Sequence, residues 1–449
     1  MRERVIRRGV LLAVIVAAST VAHAQEAQPS LKPTVLDDLA VDAETVPALK
    51  PIIVAEPEQQ VVPRKKRIVV DPYAPTGINI GAIRLFPTLE IGTEASSNVT
   101  QSNSNPKFDF GLKLKPSISF ATDWSRHSWT GTASAEVLHY LNNPDLSTLT
   151  ASAVTNFRLD IRHTTHADFA ANIALNDTGL GDSSLPAAAL APRRDKNFGI
   201  SADLVHDFGG LEGSVKTALA RSVYDDVPLK VGPPEKNADR NYTETSLTLR
   251  ATLGSSVARL RPYAEVQYAP RFHDQIIDDN GQKRDSQGFA GTLGVTLNDG
   301  PFWQGDVALA YLVRSYADPS FPATSAFGLR GRLEWSPTPL LKIAAITGVD
   351  LGETANLGVG GTRNWNVGLN ATYALRENVN LLAGIGLTRS DIGAATTTNK
   401  TASAGFEWTL NPNMAAAVTY QGNWYDDGTA AGSSNYNEQR LMTSIILKR

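Results

Sequence analysis

The sequence predicts an all-β fold: a transmembrane, antiparallel, up-and-down β-barrel of about 18 strands with long extracellular loops and short periplasmic turns. Three observations lead to this prediction. Apolar and polar residues alternate in segments long enough to cross a bilayer as tilted strands, for which about ten residues suffice. The segments recur up to the end of the chain, and the connections between them alternate between short and long.

The clearest segment is Phe108–Thr122, in which apolar and polar residues alternate. Because successive side chains of a strand point to opposite faces, one face suits lipid and the other suits water. Proline lacks a backbone N–H, so we expect a local bulge at Pro116. The apolar residues are Phe108, Phe110, Leu112, Leu114, Ile118 and Phe120, and the polar positions are Asp109, Gly111, Lys113, Lys115, Ser117 and Ser119.

Composition excludes several classes of protein. The 449 residues carry a formal net charge of −3 and contain no cysteine, which rules out disulfides, thiolate metal sites and a cysteine nucleophile. No stripe of basic residues indicates a nucleic-acid partner. The mean hydropathy of −0.18 is compatible with a porin-like barrel, because half of each spanning strand faces water.

The first 24 residues have the pattern of a signal peptide. Arginines in Met1–Arg8 precede the apolar stretch Gly9–Val21, and Ala22–Ala24 supplies a small-x-small cleavage site. The alternative is an uncleaved anchor, although the apolar stretch is short for a membrane span.

Residues 25–76 are rich in proline and lack periodicity, which predicts an extended periplasmic tail. The basic cluster Arg64–Arg67 within it is either solvated or in contact with anionic lipid or cell-wall material. The barrel is expected over residues 77–449.

Alternating segments fill the rest of the chain, and each is predicted to be one strand. They are Gly81–Glu94, Phe108–Thr122, His127–Tyr140, Ala151–Thr164, His166–Asp177, Asn197–Phe208, Leu211–Val223, Asn241–Leu253, Val257–Ala269, Ser286–Leu297, Trp303–Tyr316, Phe327–Ser336, Leu341–Glu353, Thr362–Leu375, Asn380–Asp391, Lys400–Leu410, Met414–Asp426 and Glu438–Arg449.

The connections fall into two alternating classes, as expected for short turns at one end of a barrel and long loops at the other. The short ones include Asp207–Leu211, Gly254–Ser256, Asn298–Phe302, Pro337–Leu340, Arg376–Val379 and Asn411–Asn413. The long ones include Asp177–Lys196, Tyr224–Arg240, Arg271–Asp285, Ala317–Ala326 and Asp427–Asn437.

Aromatic residues near strand ends are typical of the girdles that barrels place at the two membrane interfaces. The candidates are Trp124, Trp129, Tyr140, Tyr268, Trp303, Trp335, Trp365, Tyr373, Trp408 and Trp424. Aromatic residues also cap the strands of soluble sandwiches, so this observation alone does not decide the class.

Charged residues on the polar faces are the candidates for lining the lumen. They are Lys113, Lys115, Glu136, Arg158, Asp160, Arg162, Arg259, Arg261, Glu265, Arg330, Arg332 and Glu334. Either these charges pair across neighbouring strands in a hydrated wall, or clustered arginines produce a field that selects permeants.

Several stretches resemble the putative beta-barrel porin 2 family of proteobacterial outer-membrane proteins. The resemblance lies in DPYAPTGINIGAIRLFPTLEIGTEASSNV at Asp71–Val99, LKPSISFATDWSRHSW at Leu114–Trp129, GQKRDSQGFAGTLGV at Gly281–Val295 and EWSPTPL at Glu334–Leu340. It implies a porin-like outer-membrane barrel in a Gram-negative cell envelope. Members of the family can accompany export of envelope polysaccharide, which the resemblance implies less directly.

No motif indicates an enzyme, so we expect no catalytic residue, no cofactor and no metal. His163 and His166 flank a predicted tight turn, yet no further ligand lies near them in the sequence. A hydrolase site assembled from separate strands stays open as an alternative.

Three functions fit these observations. The first is passive diffusion of small hydrophilic solutes through an outer-membrane barrel. The second is assistance in the export or assembly of surface polysaccharide, with periplasmic or export partners bound through residues 25–76. The third is a secreted soluble β-protein that binds carbohydrate. The expected partners of the barrel are outer-membrane lipid and small solutes, without nucleic acid.

Overall fold

The computed structural model describes residues 72–449, except 183, 187, 256, 355–357 and 429–434. The predicted signal peptide and residues 25–71 of the predicted tail lie outside the described residues. Within the described residues, no helix is long and apolar enough to cross a membrane. The helical segments of this part are the 3₁₀ turns Pro144–Leu146 and Ala238–Arg240.

The rest of the described chain is almost entirely β-sheet. The strands are β1 (Ile78–Ile80), β2 (Ile83–Ser96), β3 (Asp109–Thr122), β4 (Ser128–Tyr140), β5 (Thr148–Arg162), β6 (Thr165–Thr178), β7 (Arg193–Asp207), β8 (Leu211–Tyr224), β9 (Tyr242–Leu253), β10 (Leu260–His273), β11 (Ser286–Asp299), β12 (Trp303–Tyr316), β13 (Thr324–Thr338), β14 (Leu341–Gly352), β15 (Thr362–Arg376), β16 (Val379–Ile392), β17 (Ala395–Asn411), β18 (Met414–Asp426) and β19 (Tyr436–Lys448).

Strands β2 to β19 form one closed barrel of 18 strands. Each strand pairs antiparallel with its neighbours in the sequence, and β19 pairs with β2 from Arg440 opposite Ser96 to Lys448 opposite Thr88. The short strand β1 pairs with β2. The predicted up-and-down barrel is therefore confirmed, and closure leaves no free edge at the β2–β19 junction.

The two faces of the sheet differ as the alternation predicted. On β3, Phe110 and Leu112 are 50% and 53% exposed, whereas Lys113 is only 7% exposed. The same contrast recurs around the barrel, where large apolar side chains are exposed on the outside and polar side chains lie inside. This inverted arrangement is the one that a bilayer selects, because lipid rather than a protein core covers the apolar face.

The prediction of a bulge at Pro116 is wrong. The ladder between β3 and β4 skips Lys115 and Pro116 and resumes at Ser117 in the same register as before the gap. Proline removes one ladder hydrogen bond because it has no N–H. It adds no residue to the strand, so the register is unchanged.

The barrel has one end with short turns and one end with long loops. We call them the short-turn end and the long-loop end. Every connection at the first end has two to six residues, and the connections at the second end have seven or more, with one exception. One connection at the long-loop end, between Ile392 and Ala395, is only two residues long. Gly393 at its first position has a φ of +62°, which allows a tight hairpin turn there.

Most predicted girdle aromatics are exposed on the outer face. Trp303 and Trp335, for example, stack at the short-turn end with ring centroids 5.5 Å apart. Tyr140 is a correction: its side chain is buried on the inner face, and its hydroxyl donates to Glu94 at 2.8 Å. Its parity along β4 places it with the interior residues, which proximity to a strand end does not reveal.

The wall is discontinuous between β13 and β14. Their ladder runs from Trp335 opposite Ile343 to Gly331 opposite Thr347 and continues no further toward the long-loop end. We call the remaining boundary, between Thr324–Arg330 and Gly348–Gly352, the seam. Beyond that point β14 lies inside β13 instead of beside it, as the contacts described below show.

Candidate functional site

The interior face of the barrel is the candidate site, because it carries the charged side chains that the sequence singled out. Eleven of the twelve predicted lining residues lie on strands, and Arg259 lies in the turn before β10. Arg259 is exposed and pairs at 3.2 Å with Asp299, the last residue of the neighbouring strand β11. It therefore belongs to the short-turn rim, not to the wall.

A compact charge network joins β2, β3 and β4. The Lys113 ammonium lies 3.2 Å from Glu90 and 3.4 Å from Glu136, and Lys115 lies 3.2 Å from the same Glu136 oxygen. The structure thus brings together the predicted residues Lys113, Lys115 and Glu136. Glu90 completes the alternation of positive and negative charge.

The interior face of β5 is accessible to solvent. Arg158 pairs with Asp160 at 2.9 Å, and both Ser152 and Asn156 on the same face are exposed. Val154 between them is 45% exposed although it points inward. Solvent therefore reaches the middle of the barrel wall from the inside.

Next to this face lies a cavity of about 340 Å³ that reaches across β4 to β8 and is lined by both polar and apolar side chains. Asp168 and Asp203 are register partners within it, and Lys216 is the partner of Asp203 on the other side. Like charges directly opposite each other are unfavourable, and Lys216 offsets this repulsion. Arg162, the last predicted residue of β5, is exposed at the short-turn end of the strand.

The predicted residues of β10 pair with the preceding strands. Arg261 lies 3.0 Å from Glu212 of β8, and Glu265 lies 4.0 Å from Arg250 of β9. The Arg250 guanidinium also stacks over Tyr263, 3.5 Å from the ring centroid.

The predicted residues of β13 have two different roles. Arg332 pairs with Glu334 at 2.7 Å within the same strand. Arg330 instead donates from Nε to the backbone carbonyl of Val349 at 3.0 Å. That bond spans the seam and replaces a missing ladder contact.

A second network, which we call the latch network, lies near the long-loop end. Arg271 pairs with Glu244 at 2.8 Å and with Glu353, and Arg314 pairs with the same Glu244 oxygen at 2.8 Å. Nε2 of His273 lies 3.6 Å from Glu353. All five side chains are largely buried. The network therefore ties β9, β10 and β12 to the residue that follows β14.

Glu353 is ionised in this setting. Burial opposes ionisation, but the adjacent Arg271 guanidinium and His273 outweigh that penalty and lower the pKa of Glu353 to about 2. The carboxylate is thus a fixed negative charge at neutral pH.

The neighbouring loops reinforce the same contact. Arg284 pairs with Asp278 at 2.7 Å within the β10–β11 loop and donates to the carbonyl of Thr354 at 2.9 Å. Backbone N–H donors and Arg284 outweigh the burial of Asp278 and lower the pKa of its carboxyl. Glu353 and Thr354, the first two residues after β14, are therefore both held by charged side chains of β10 and the β10–β11 loop.

Sequence reasoning missed the latch network. Arg271 begins the predicted loop Arg271–Asp285, whereas β10 continues to His273. Extending the parity of Arg261 and Glu265 along the strand would have placed Arg271 on the interior face. No local pattern indicates Glu353, because its contacts depend on the overlap of β14 with the inner face of β13.

The interior offers no metal site of ordinary composition: within the described residues, no group of three or more His, Cys, Asp or Glu side chains could hold a metal ion. His166 lies 3.3 Å from Asp168 as a pair. What this arrangement can do chemically is hydrate and orient polar solutes by charge.

The family profile described as Putative beta-barrel porin 2 matches residues 71–449. No curated protein matches the chain. Among solved structures it is similar to OpdL of Pseudomonas aeruginosa, with 14% identity, a TM-score of 0.39 and coverage of 82% of this chain and 99% of that chain.

A further similar structure is the FrpB iron transporter of Neisseria meningitidis, with 10% identity, a TM-score of 0.42 and coverage of 83% of this chain and 82% of that chain. The assignment rests on the family profile, which covers the whole barrel. The chain, an outer-membrane β-barrel, belongs to the Putative beta-barrel porin 2 family.

Proposed function

We propose that the protein is a passive diffusion channel for small hydrophilic solutes. The observation that carries this proposal is the solvent-accessible interior face of β5, with inward-pointing Val154 45% exposed inside a closed barrel. Barrels of about 16 to 18 strands are wide enough for an aqueous lumen. The pairing of charges needs no cofactor and no catalytic residue.

The proposed orientation follows the general rule for bacterial barrels, with short turns in the periplasm and long loops outside. Both ends of the barrel chain, at β2 and β19, lie at the short-turn end. Residues 25–76 then extend into the periplasm, in agreement with the predicted signal peptide.

The interior charges set the proposed selectivity. We infer that eleven of the twelve predicted residues, all except Arg259, line the solute path. We also infer that the latch network narrows this path near the long-loop end. Most of these charges are paired with opposite charges. Paired charges produce a weak net field, so we expect weak ion selectivity and a preference for neutral polar solutes.

Liposome swelling tests this proposal. Purified protein in liposomes should admit small neutral sugars, with rates that fall as sugar size rises. Liposomes without protein are the control. Equal and negligible swelling for every sugar, including the smallest, would contradict passive diffusion.

Assistance in polysaccharide export is a separate proposal that depends on residues 25–76. Deleting Glu26–Val70 should then impair export while leaving sugar-driven swelling unchanged. Unaltered export after this deletion would remove the proposal. The secreted soluble β-protein considered earlier does not fit, because the exposed apolar residues form the outer face of a closed barrel.

A further inference from the structure

The seam between β13 and β14 is built as an overlap of two layers. Ala310, Leu312 and Ala326 lie on the inner face of β12 and β13, and they pack against Val349 and Leu351 of β14. In the regular part of the barrel, the parity of Val349 and Leu351 would point them outward. The long-loop half of β14 therefore lies behind β13, on the lumen side.

Small residues on β13 make room for this overlap. A Cβ at Gly328 would lie 3.0 Å from Cβ of Val349 and 3.2 Å from Cδ1 of Trp365. The strand after β14 thus takes part as well, because Trp365 of β15 reaches the inner face of β13.

Side chains, not a backbone ladder, hold the two layers together. Nε1 of Trp365 donates to the carbonyl of Phe327 at 3.0 Å, and Oγ1 of Thr347 donates to the carbonyl of Leu329 at 3.3 Å. Arg330 donates to the carbonyl of Val349 as described above. These three bonds stand in place of a continuous backbone ladder along the seam.

The surroundings of the seam have opposite polarity on its two sides. Phe327 and Leu329 on the outer face of β13 are 60% and 49% exposed toward lipid. On the lumen side, Glu353 follows β14 directly and is held by Arg271 and His273. If the seam opened, an apolar gap between β13 and β14 would lie next to Arg271 and His273. The Glu353 carboxylate would then no longer contact these two side chains.

From these contacts we propose that the seam is a lateral portal for an anionic amphiphile, between the lumen and the outer membrane leaflet. Its acyl chain occupies the slot between β13 and β14, and its anionic head replaces the Glu353 carboxylate on Arg271 and His273. This portal rests on the proposed water-filled lumen, and it adds a second exit that faces the membrane.

A reversible lock tests the portal. The chain has no cysteine, so Gly328→Cys with Val349→Cys places one disulfide across the seam, where the Cβ separation is within about 1 Å of that in natural disulfides. The matched control is Ala383→Cys with Ala404→Cys, which are register partners in the continuous β16–β17 ladder.

The measurement is block of single-channel current by lysophosphatidic acid dissolved in the bilayer. We expect block in the wild type, in the reduced seam variant and in both redox states of the control. Oxidation of the seam variant should abolish block while leaving the unblocked conductance unchanged. Block that survives oxidation, or no block in the wild type, would overturn the portal without touching the channel proposal.

Two further measurements test the portal without recording ion conductance. Native mass spectrometry should detect lysophosphatidic acid on the reduced seam variant and lose it on oxidation. Glu353→Gln, which removes the competing carboxylate, should increase retention of lysophosphatidic acid and leave retention of uncharged monoolein unchanged. Equal retention in both redox states, or equal changes for both lipids, would contradict the portal.

Discussion

Leu114 and Lys115 are neighbours on β3 whose side chains lie on opposite faces of the wall. Leu114 is exposed to lipid near the middle of its strand, and Lys115 pairs with Glu136 inside. We predict that Leu114→Arg impairs assembly, because an arginine facing the bilayer midplane costs about 2–4 kcal/mol. Lys115→Glu should assemble normally and shift ion selectivity toward cations.

The fraction of folded barrel, measured by heat-modifiable migration on gels, distinguishes these two variants, and reversal potentials report the selectivity of Lys115→Glu. Each variant is the control for the other. Equal assembly of both would contradict the assignment of the two faces.

Glu353 gives a pH-dependent prediction. Its pKa is about 2 in the folded protein against 4.5 for the free side chain, so its ion pairs contribute fully above pH 4.5 and are lost as pH falls toward 2. The shift corresponds to about 3 kcal/mol. Glu353→Gln should therefore lower the melting temperature by a constant amount at neutral pH, and this difference should vanish near pH 2.

Melting curves in detergent between pH 7 and pH 2 check this prediction. Glu377→Gln, in an exposed turn at the opposite end, is the control and should match the wild type throughout. A wild-type advantage over Glu353→Gln that persists near pH 2 would show that the carboxylate charge is not its source.

Individual side chains were predictable only where strand parity applied. Lys113, Lys115 and Glu136 were identified as interior charges and do form one network, but Glu90 was not singled out. Tyr140 lies on the inner face, as its parity requires, although its position near a strand end predicts a girdle residue on the outer face. Glu353 ends the predicted strand Leu341–Glu353, and parity along that strand would place it on the outer face, whereas β14 ends at Gly352 and Glu353 pairs with Arg271 inside.

At the scale of elements, the seam divides β13 into two halves whose backbone N–H groups differ in protection from hydrogen exchange. The carbonyls of Phe327 and Leu329 point toward β14, so the N–H groups of these residues do too. No ladder partner faces them, whereas Gly331 and Leu333 pair with β14. We predict faster hydrogen exchange for the N–H groups of Phe327 and Leu329 than for those of Gly331 and Leu333.

Residue-resolved exchange by NMR in micelles measures this difference. The control is β16, whose ladder with β17 is continuous and should show no such step between its two halves. Uniform protection along β13 would indicate that the layers pair as an ordinary ladder in solution.

Strand number and order followed from the sequence because the alternation is local. The clearest errors lie where the long-loop halves of strands extend into predicted loops: β7 begins at Arg193 instead of Asn197, and β10 ends at His273 instead of Ala269. Polar side chains at these ends resemble loop composition. The seam could not be foreseen, since it depends on how distant strands stack.

At the scale of the whole molecule, the exposed apolar face predicts which treatments extract the protein from the cell envelope. Carbonate washing should leave the protein in the membrane fraction, and detergent should release it, because lipid covers the outer face of the barrel. A periplasmic soluble protein serves as the control and should be released by the wash. Release of this protein without detergent would contradict a membrane barrel.

The closed barrel was predictable as a whole because backbone groups in a bilayer must be hydrogen-bonded within the protein, and alternating strands achieve this by closing into one sheet. The alternating connection lengths added the up-and-down order. The interior that results joins charged residues far apart in the sequence, such as Arg271 and Glu353. Their meeting depends on closure and could not be read from any single segment.

Ion conductance of single molecules in planar bilayers tests the water-filled lumen most directly. For a water-filled lumen we expect stepwise current increases on insertion, a linear current–voltage relation and conductance that rises with salt concentration. Insertion without any current, at every voltage and pH tested, would contradict it.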